Sequence, residues 1–484
     1  MIARLVVDGE QDSAAEAGWT AGVLLSLTGL AWREGDGGDG PVVFVGAADR
    51  APADAAILLP WVDAGPWTPA GLALAGFEGV PVPCPGGRLT SPADARALPA
   101  EWLRAVFSLL SREEEQLEHA RDQWECFAGT QSRLHGLGVL ERPLVNEYAA
   151  LLARRLEAWA SARQAALTPL PLWPNGKRYA ALLSHDVDEV RFGSLLEAAR
   201  LLALTSGPRS YALRAGLTQA ARGVAGLGRT DPYWNFERWV TAEESRGFRS
   251  SFYFCAPSPA QRHEYDARYR FGDRVDFERA RGTVSSLLAR LAERGWDVGL
   301  HGSYLSHRDG DDLARQRAQV EAASGRPAPG TRQHFLRFDV NRTWRAQEEA
   351  GFTYDSTLGY NEAPGFRAGI AAPFTPWDAG AGRAHRLLEL PLTMMDGTLF
   401  RTLGLDGAQA AERVRQHLRT VEASGGLAVL LWHPNGASEP HFPGWWTAWE
   451  AGLDVLAAGG AWVATGREIA EWWAARRAGA AGSA

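Results

Sequence analysis

The feature that most constrains this 484-residue chain is an alternation of short apolar runs with helical patterns that begins at Tyr179. Parallel strands need crossovers long enough to hold a helix, so this alternation favours a parallel sheet, open or closed into a barrel. One helix is predicted from Val284 to Leu291, where apolar residues have helical spacing, and Gly295 follows as its cap. The predicted strands are residues 181–186, 250–255, 296–301, 331–336, 352–355, 387–392 and 427–433.

The chain divides at a proline-rich connector, residues 170–176. Before it, apolar runs at 42–45 and 55–59 predict strands, and two stretches, 101–118 and 142–163, have helical spacing. We therefore expect a smaller α/β N-terminal domain over residues 1–170 and a larger α/β domain over residues 176–478. Within the first helical stretch, a run of glutamates is interpreted as an exposed acidic face: Glu113, Glu114, Glu115 and Glu118.

Composition excludes several classes of partner. The formal charge is −7 and the isoelectric point is near 5.9, without a long basic block, so neither nucleic acid nor an anionic membrane surface is indicated. The three cysteines are far apart, which argues against a disulfide framework and a cysteine zinc cluster. No stretch is long and apolar enough for a membrane span, and the apolar run 22–30 has no basic lead-in. These features predict a soluble cytoplasmic protein.

Aspartate, histidine and arginine residues recur where the predicted strands end. Asp186 and Asp188 follow the first strand, and the ends of later strands carry His301, Arg332, His334, Asp355, Asp396 and His433. An acidic pair alone is more typical of a solvated turn, and one buried histidine is usually a core residue. Chemistry in barrels of parallel strands lies at the C-terminal strand ends, where all these side chains would meet. The set therefore indicates a metal-assisted hydrolase.

Five segments also carry a family resemblance. LSHDVD (183–188), GLHGSY (299–304), RQHFL (332–336), YDST (354–357) and LLWH (430–433) resemble, in order, the five motifs of the polysaccharide deacetylase, or NodB-homology, family. The resemblance covers about residues 179–473 and implies a distorted (β/α)7-type barrel. Three more segments, LSREE (110–114), RPLVN (142–146) and GFRAG (365–369), resemble a bacterial subgroup with an uncharacterised N-terminal domain.

The resemblance implies metal-dependent removal of an N-acetyl or O-acetyl group from a sugar. Asp186 matches the general base, and Arg332 matches the arginine that orients it. His433 matches the late histidine that protonates the leaving amine or alcohol. Asp355 matches an aspartate that lines the site.

The resemblance also implies a divalent metal, with zinc as the first expectation. Asp188 and His301 match two ligands, but Leu305 stands where the family has its second histidine, and leucine cannot bind a metal. His334 is the preferred substitute and His307 the alternative.

The expected partner is an acetylated carbohydrate. Two alternatives stay open: a hydrolase of a non-sugar carbon–nitrogen bond, such as a cyclic amide or ureide, and a degenerate barrel that binds glycan without turnover. Some tryptophans would suit sugar stacking, although their spacing is also typical of a helix core: Trp432, Trp445, Trp446 and Trp449.

Overall fold

The computed structural model describes all residues except 10, 36, 62–64, 68–70, 192–230, 232, 258–262, 279, 440 and 483–484. No helix in the described part is long and apolar enough to cross a membrane. The helices described are α1 Gln11–Ser26, α2 Ala100–Leu110, α3 Glu113–Leu117, α4 Arg133–Gly136, α5 Leu144–Ser161, α6 Phe236–Glu244, α7 Val284–Glu293, α8 Gly310–Ser324, α9 Thr343–Glu349, α10 Gly407–Ala423, α11 Trp445–Ala457 and α12 Gly466–Gly482.

The strands of the first half are β1 Ala3–Val7, β2 Trp32–Glu34, β3 Val42–Val45, β4 Ala55–Leu59, β5 Leu72–Phe77 and β6 Val80–Pro85. The strands of the second half are β7 Tyr179–Val187, β8 Ser251–Cys255, β9 Arg274–Phe277, β10 Ala280–Thr283, β11 Asp297–Gly302, β12 Gly330–Gln333, β13 Tyr354–Asp355, β14 Trp377–Asp378, β15 Arg383–Ala384, β16 Leu388–Glu389, β17 Met394–Met395, β18 Leu427–Leu431 and β19 Ala461–Val463.

The first half contains a four-stranded parallel sheet in the order β2-β1-β3-β4. Strands β5 and β6 form a separate antiparallel hairpin. Helices α1, α2 and α5 supply apolar side chains to the core that covers the sheet, including the buried Leu24, Trp102 and Leu152. This arrangement confirms the smaller α/β unit expected from the sequence.

The second half is built around one parallel sheet, ordered β16-β13-β12-β11-β8-β7-β18-β17, with β19 added alongside β7. From β7 to β16, the strands of this sheet are neighbours in the order in which they follow one another along the chain, and the pairing of β18 with β7 curls the sheet into a barrel. In the described residues β16 and β17 do not pair, and the chain itself crosses that gap. There the amide of Leu390 donates to Asp355 and the amide of Thr393 donates to Val429. The distorted (β/α)7-type barrel is confirmed.

All seven strands predicted from residue 181 onward exist, but the last four are shorter than expected, and the shortening of the fourth bears on the site. β12 ends at Gln333, and a 3₁₀ turn follows at His334–Leu336. Phe335 and Leu336 have φ values of 59° and 52°, left-handed conformations that an extended strand cannot accommodate. The turn therefore takes His334 out of the sheet at the mouth of the barrel.

The glutamates 113–115 are buried, and Glu115 lies at a junction between the two halves, so the exposed acidic face predicted from the sequence is wrong. Glu115 accepts hydrogen bonds from Arg112 at 2.9 Å and from Arg367 at 2.5 Å, and these three side chains are at most 1% exposed. Burial alone would raise the pKa of Glu115, but the two guanidinium groups lower it to about 2. Arg112 has a φ of 57°, which separates α2 from α3 where one helix was predicted.

The three segments that resemble the bacterial subgroup meet at this junction. Arg112 also donates to the carbonyl of Arg367, and the amide of Val145 donates to Gly369 at 2.9 Å. The Asn146 side chain exchanges two hydrogen bonds with the main chain of Ala371. The segments thus hold the N-terminal half against the barrel.

Candidate active site

The first carboxylate of the site, Asp186, is held by a buried arginine. Asp186 lies near the C-terminal end of β7, and Arg332 donates to its Oδ1 at 2.9 Å from β12. The same guanidinium donates to Ser184 Oγ at 2.9 Å and to the carbonyl and hydroxyl of Ser356 at 2.8 and 2.9 Å. Arg332 is fully buried, so these contacts fix the orientation of Asp186. The other oxygen, Oδ2, lies 3.8 Å from His301 Nε2.

The second carboxylate, Asp188, lies among three imidazoles. Its Oδ1 is 3.2 Å from His301 Nε2 and 3.4 Å from His334 Nε2, and its Oδ2 is 3.5 Å from His433 Nε2. Burial would raise the pKa of Asp188, but the imidazoles hold it well below its usual range. The structure thus brings four of the predicted residues to one point, from four strand ends.

Contacts behind the site set the direction of two imidazoles. His301 Nδ1 lies 2.9 Å from the carbonyl of Arg332, which fixes the proton on Nδ1 and leaves the lone pair of Nε2 towards Asp188 when the ring is neutral. His433 Nδ1 lies 2.8 Å from Asp396 Oδ1, and its amide donates to Oδ2 at 2.7 Å. Burial alone would lower the pKa of His433, but Asp396 and the neighbouring carboxylates raise it to about 9.

The donor set fits a divalent metal ion. One carboxylate and two imidazoles converge, and such ligands suit zinc and related ions. Asp188 Oδ1 and His334 Nδ1 are both buried without a hydrogen bond of good geometry in the described part of the chain. Buried polar atoms are normally satisfied, so a cation would supply the partner that Asp188 lacks.

A further donor was missed by the sequence analysis. Cys255 Sγ and one ligand nitrogen from each of His301 and His334 lie within 4.8 Å of one another. Sequence spacing carries no signal for this group, because it depends on the register that sets Cys255 beside His301.

His307 is not among the described contacts of Asp188. Burial, together with Arg337 and Arg308, lowers its pKa to about 3. Of the two histidines considered for the missing ligand, His334 is the one that lies near Asp188 in the described structure.

Asp355 is not brought into the cluster, which corrects the expectation that it lines the site. Its Oδ1 accepts from Gln347 on α9 at 2.9 Å and from Thr357 at 2.6 Å. Neighbouring residues of an extended segment point to opposite faces, so Ser356 reaches Arg332 while Asp355 faces the helix layer. Asp396 stands beside His433 instead.

The cluster opens into a cleft of about 620 Å³. Aromatic and charged side chains line it together with Asp188 and His433, among them Tyr265, Phe335, Arg401 and Trp445. Of the four tryptophans considered for sugar stacking, only Trp445 lies in this lining, and it stacks on Phe400 with the ring centroids 4.9 Å apart.

His185 has a structural role, as its position between two site residues on an alternating strand implies. Its Nε2 lies 2.7 Å from Glu243 and its Nδ1 lies 2.8 Å from the carbonyl of Trp432. Trp239 and Trp449 pack against its ring. The pair is fully buried on the side of β7 away from the cleft.

Comparison with known proteins gives one family match and several similar folds. Residues 70–161 match DUF7033, a family of unknown function. Among curated proteins, none matches in sequence. A Mycobacterium smegmatis protein assigned as a polysaccharide deacetylase is 21% identical with a TM-score of 0.41, over 63% of this chain and 93% of its own.

Two further structures are similar over 63% of this chain and 94% of their own, each at 16% identity. One is a Puue allantoinase, with a TM-score of 0.42. The other is a Pseudomonas aeruginosa PAO1 protein, also assigned as a polysaccharide deacetylase, with a TM-score of 0.41.

Proposed function

We propose that the protein is a metal-dependent hydrolase that removes an acetyl group from a carbohydrate. The observation that carries the proposal is the convergence of Asp186, Asp188, His301, His334 and His433 at one rim of the barrel. Each stands at the position that its motif resemblance implies, except His334, which replaces the absent histidine at Leu305. We propose residues 176–478 as the catalytic unit and residues 1–170 as a separate N-terminal domain.

Asp186 and His433 divide the proton transfers. Asp186, oriented by Arg332, accepts a proton from the attacking water. His433 stands across Asp188 from this pair, and its Nδ1 is held by Asp396, so its Nε2 can donate a proton to the departing nitrogen or oxygen. An imidazole with a pKa raised to about 9 is protonated at neutral pH, as an acid must be.

Asp188, His301 and His334 would hold the metal ion. When bound, a divalent ion polarises the acetyl carbonyl and lowers the pKa of water, which is the chemistry that these residues do not supply themselves. The cleft beside them is large enough for a sugar unit, and Trp445 and Arg401 contribute an indole ring and a cation to its lining.

Acetate release from a panel of acetylated sugars tests the proposal, with zinc-loaded full-length protein. Asp186→Asn and His433→Gln should each lower turnover by about 10²–10⁴-fold, because each removes one proton transfer. Bound metal, measured by elemental analysis, should stay the same in Asp186→Asn. The control is Asp311→Asn, an exposed carboxylate on α8, which should leave turnover unchanged.

Two results would contradict the proposal. If the protein opens cyclic amides or ureides and releases no acetate, the substrate is a non-sugar carbon–nitrogen bond. If the purified protein binds no divalent metal and is not activated by one, the barrel is not a metallohydrolase. Glycan binding without turnover is then the remaining alternative.

A further inference from the structure

The thiol of Cys255 faces the same imidazoles that Asp188 does. Its Sγ and the ligand nitrogens of His301 and His334 lie within 4.8 Å of one another, and all three residues are at most 6% exposed. Parallel pairing sets Cys255 beside His301, and His301 beside Arg332 of the strand that leads to His334. The three side chains therefore approach from consecutive strand ends.

The main chain at Cys255 is held in place by Tyr269. The Cys255 amide donates to the Tyr269 hydroxyl at 2.8 Å, and that hydroxyl donates its own proton to the carbonyl of Val187 at 2.8 Å. These bonds tie the end of β8 to the end of β7, immediately before Asp188. The thiol itself also interacts with the Tyr269 hydroxyl, so this one side chain positions both the main chain and the sulfur of Cys255.

The other two cysteines show what a structural thiol does in this protein. Cys84 Sγ donates to the carbonyl of Arg88 at 3.5 Å, and Cys126 Sγ donates to the carbonyl of Phe335 at 3.4 Å. In the part of the chain that the structure describes, Cys255 Sγ donates to no carbonyl. Cys255 borders the apolar core of the barrel, but its sulfur also faces two imidazoles, and thiolate together with imidazole is a common ligand set for zinc.

We propose that Cys255 is a sulfur ligand of the metal ion, beside His301, His334 and Asp188. On binding, the Cys255 S–H bond breaks, a sulfur–metal bond forms and the proton is released to solvent. Thiolate favours zinc and cobalt over magnesium, calcium and manganese, so the centre is selective for the first group. Asp188, whose side chain is 28% exposed against 2% for His301, is the donor that faces the cleft.

This inference rests on the proposed function, because it concerns the same ion. His334 takes the role of the histidine that is absent at Leu305, and Cys255 adds a sulfur donor to the set of Asp188, His301 and His334. With four protein donors, water or substrate would be the fifth donor to the ion, on the side where Asp188 faces the cleft.

Cobalt titration of the metal-free, full-length protein tests the ligand directly. Wild-type protein should develop the near-ultraviolet charge-transfer band of a cobalt–thiolate bond. Cys255→Ser should lose this band and bind zinc at least about tenfold more weakly, while its manganese affinity changes by less than about twofold. The matched controls Cys84→Ser and Cys126→Ser should keep the band and the zinc affinity.

X-ray absorption of the zinc-loaded wild-type protein gives a second measurement that needs no variant. A sulfur neighbour at about 2.3 Å from zinc is expected. A shell of nitrogen and oxygen only, or an unchanged cobalt band in Cys255→Ser, would overturn the assignment of Cys255 and leave the proposed hydrolase standing. Wild-type protein that binds neither cobalt nor zinc would overturn both.

Discussion

The variant Arg332→Met tests how the site is assembled, because it removes a buried guanidinium that donates four hydrogen bonds. The guanidinium satisfies Asp186, Ser184 and both the carbonyl and hydroxyl of Ser356. Methionine fills much of the same volume but donates nothing. Asp186, 2% exposed, would be left as an unpaired buried carboxylate.

Breaking one partner of a buried ion pair typically costs about 3–5 kcal/mol, and the full burial of Arg332 places this pair in that class. Asp186→Asn should cost a similar amount, since it leaves the guanidinium charge uncompensated. The double variant should cost less than the sum of the single variants by about 2–3 kcal/mol, because the two residues share one interaction.

Urea unfolding of metal-free protein, followed by tryptophan fluorescence, measures these free energies from the midpoints. Metal-free samples keep ion binding from adding to the stability. The control pairs Asp186→Asn with Arg294→Met at the outer end of α7, where the effects should add within about 0.5 kcal/mol. If the losses in unfolding free energy of the Asp186 and Arg332 variants also add, the claim that the arginine supports this carboxylate is refuted.

Three further variants probe other buried ionisable groups. Glu115→Gln should destabilise the junction by about 3–5 kcal/mol in urea at pH 7. Because the pKa of Glu115 is lowered to about 2, the advantage of the wild type should fade as pH falls from about 5 towards 2; an advantage that persists at pH 2 would be inconsistent with the pairing to Arg367. Burial and the neighbouring Asp355 raise the pKa of Glu389 well above its usual 4.5, so the unfolded chain gives up this proton at a lower pH than the folded protein does. Glu389→Gln should therefore gain stability relative to wild type as pH rises above 4.5, and a stability difference that does not change with pH would contradict this. Asp396→Asn should lower the pKa of His433 from about 9 by about 1–3 pH units in metal-free protein, measured by NMR titration; an unmoved titration would show that Asp396 does not charge the imidazole.

The polar residues at the rim of the barrel show which parts of the candidate site can be predicted from the pattern of strands. Asp186, Asp188, His301 and His433 were predicted as one set because C-terminal strand ends of a parallel barrel share a rim, and the structure brings them together. His334 was predicted there as the preferred substitute for the missing histidine, and it too lies near Asp188, although in a turn after β12 instead of in the predicted strand.

The predictions that were wrong, for Asp355 and for the acidic run, have a different origin. Asp355 was matched by motif, but β13 has only two residues, and the alternation of its side chains turns the carboxyl towards α9. Glu113 and Glu115 were interpreted as exposed because charge predicts solvation. Glu113 pairs with Arg104 on the preceding helix, but Arg367, which buries Glu115, lies 252 residues along the chain, too far for a local pattern to reveal.

By itself, the sequence determined the alternation of strands and helices, and with it the parallel barrel and the rim at which its polar residues meet. Periodicity encodes this information because it records, residue by residue, which side of an element is buried. Only the tertiary structure decided that Asp396 supports His433, that Cys255 joins the imidazoles and that the acidic run closes a buried junction. Each of these depends on which segments become neighbours across the fold, and local spacing carries no record of that.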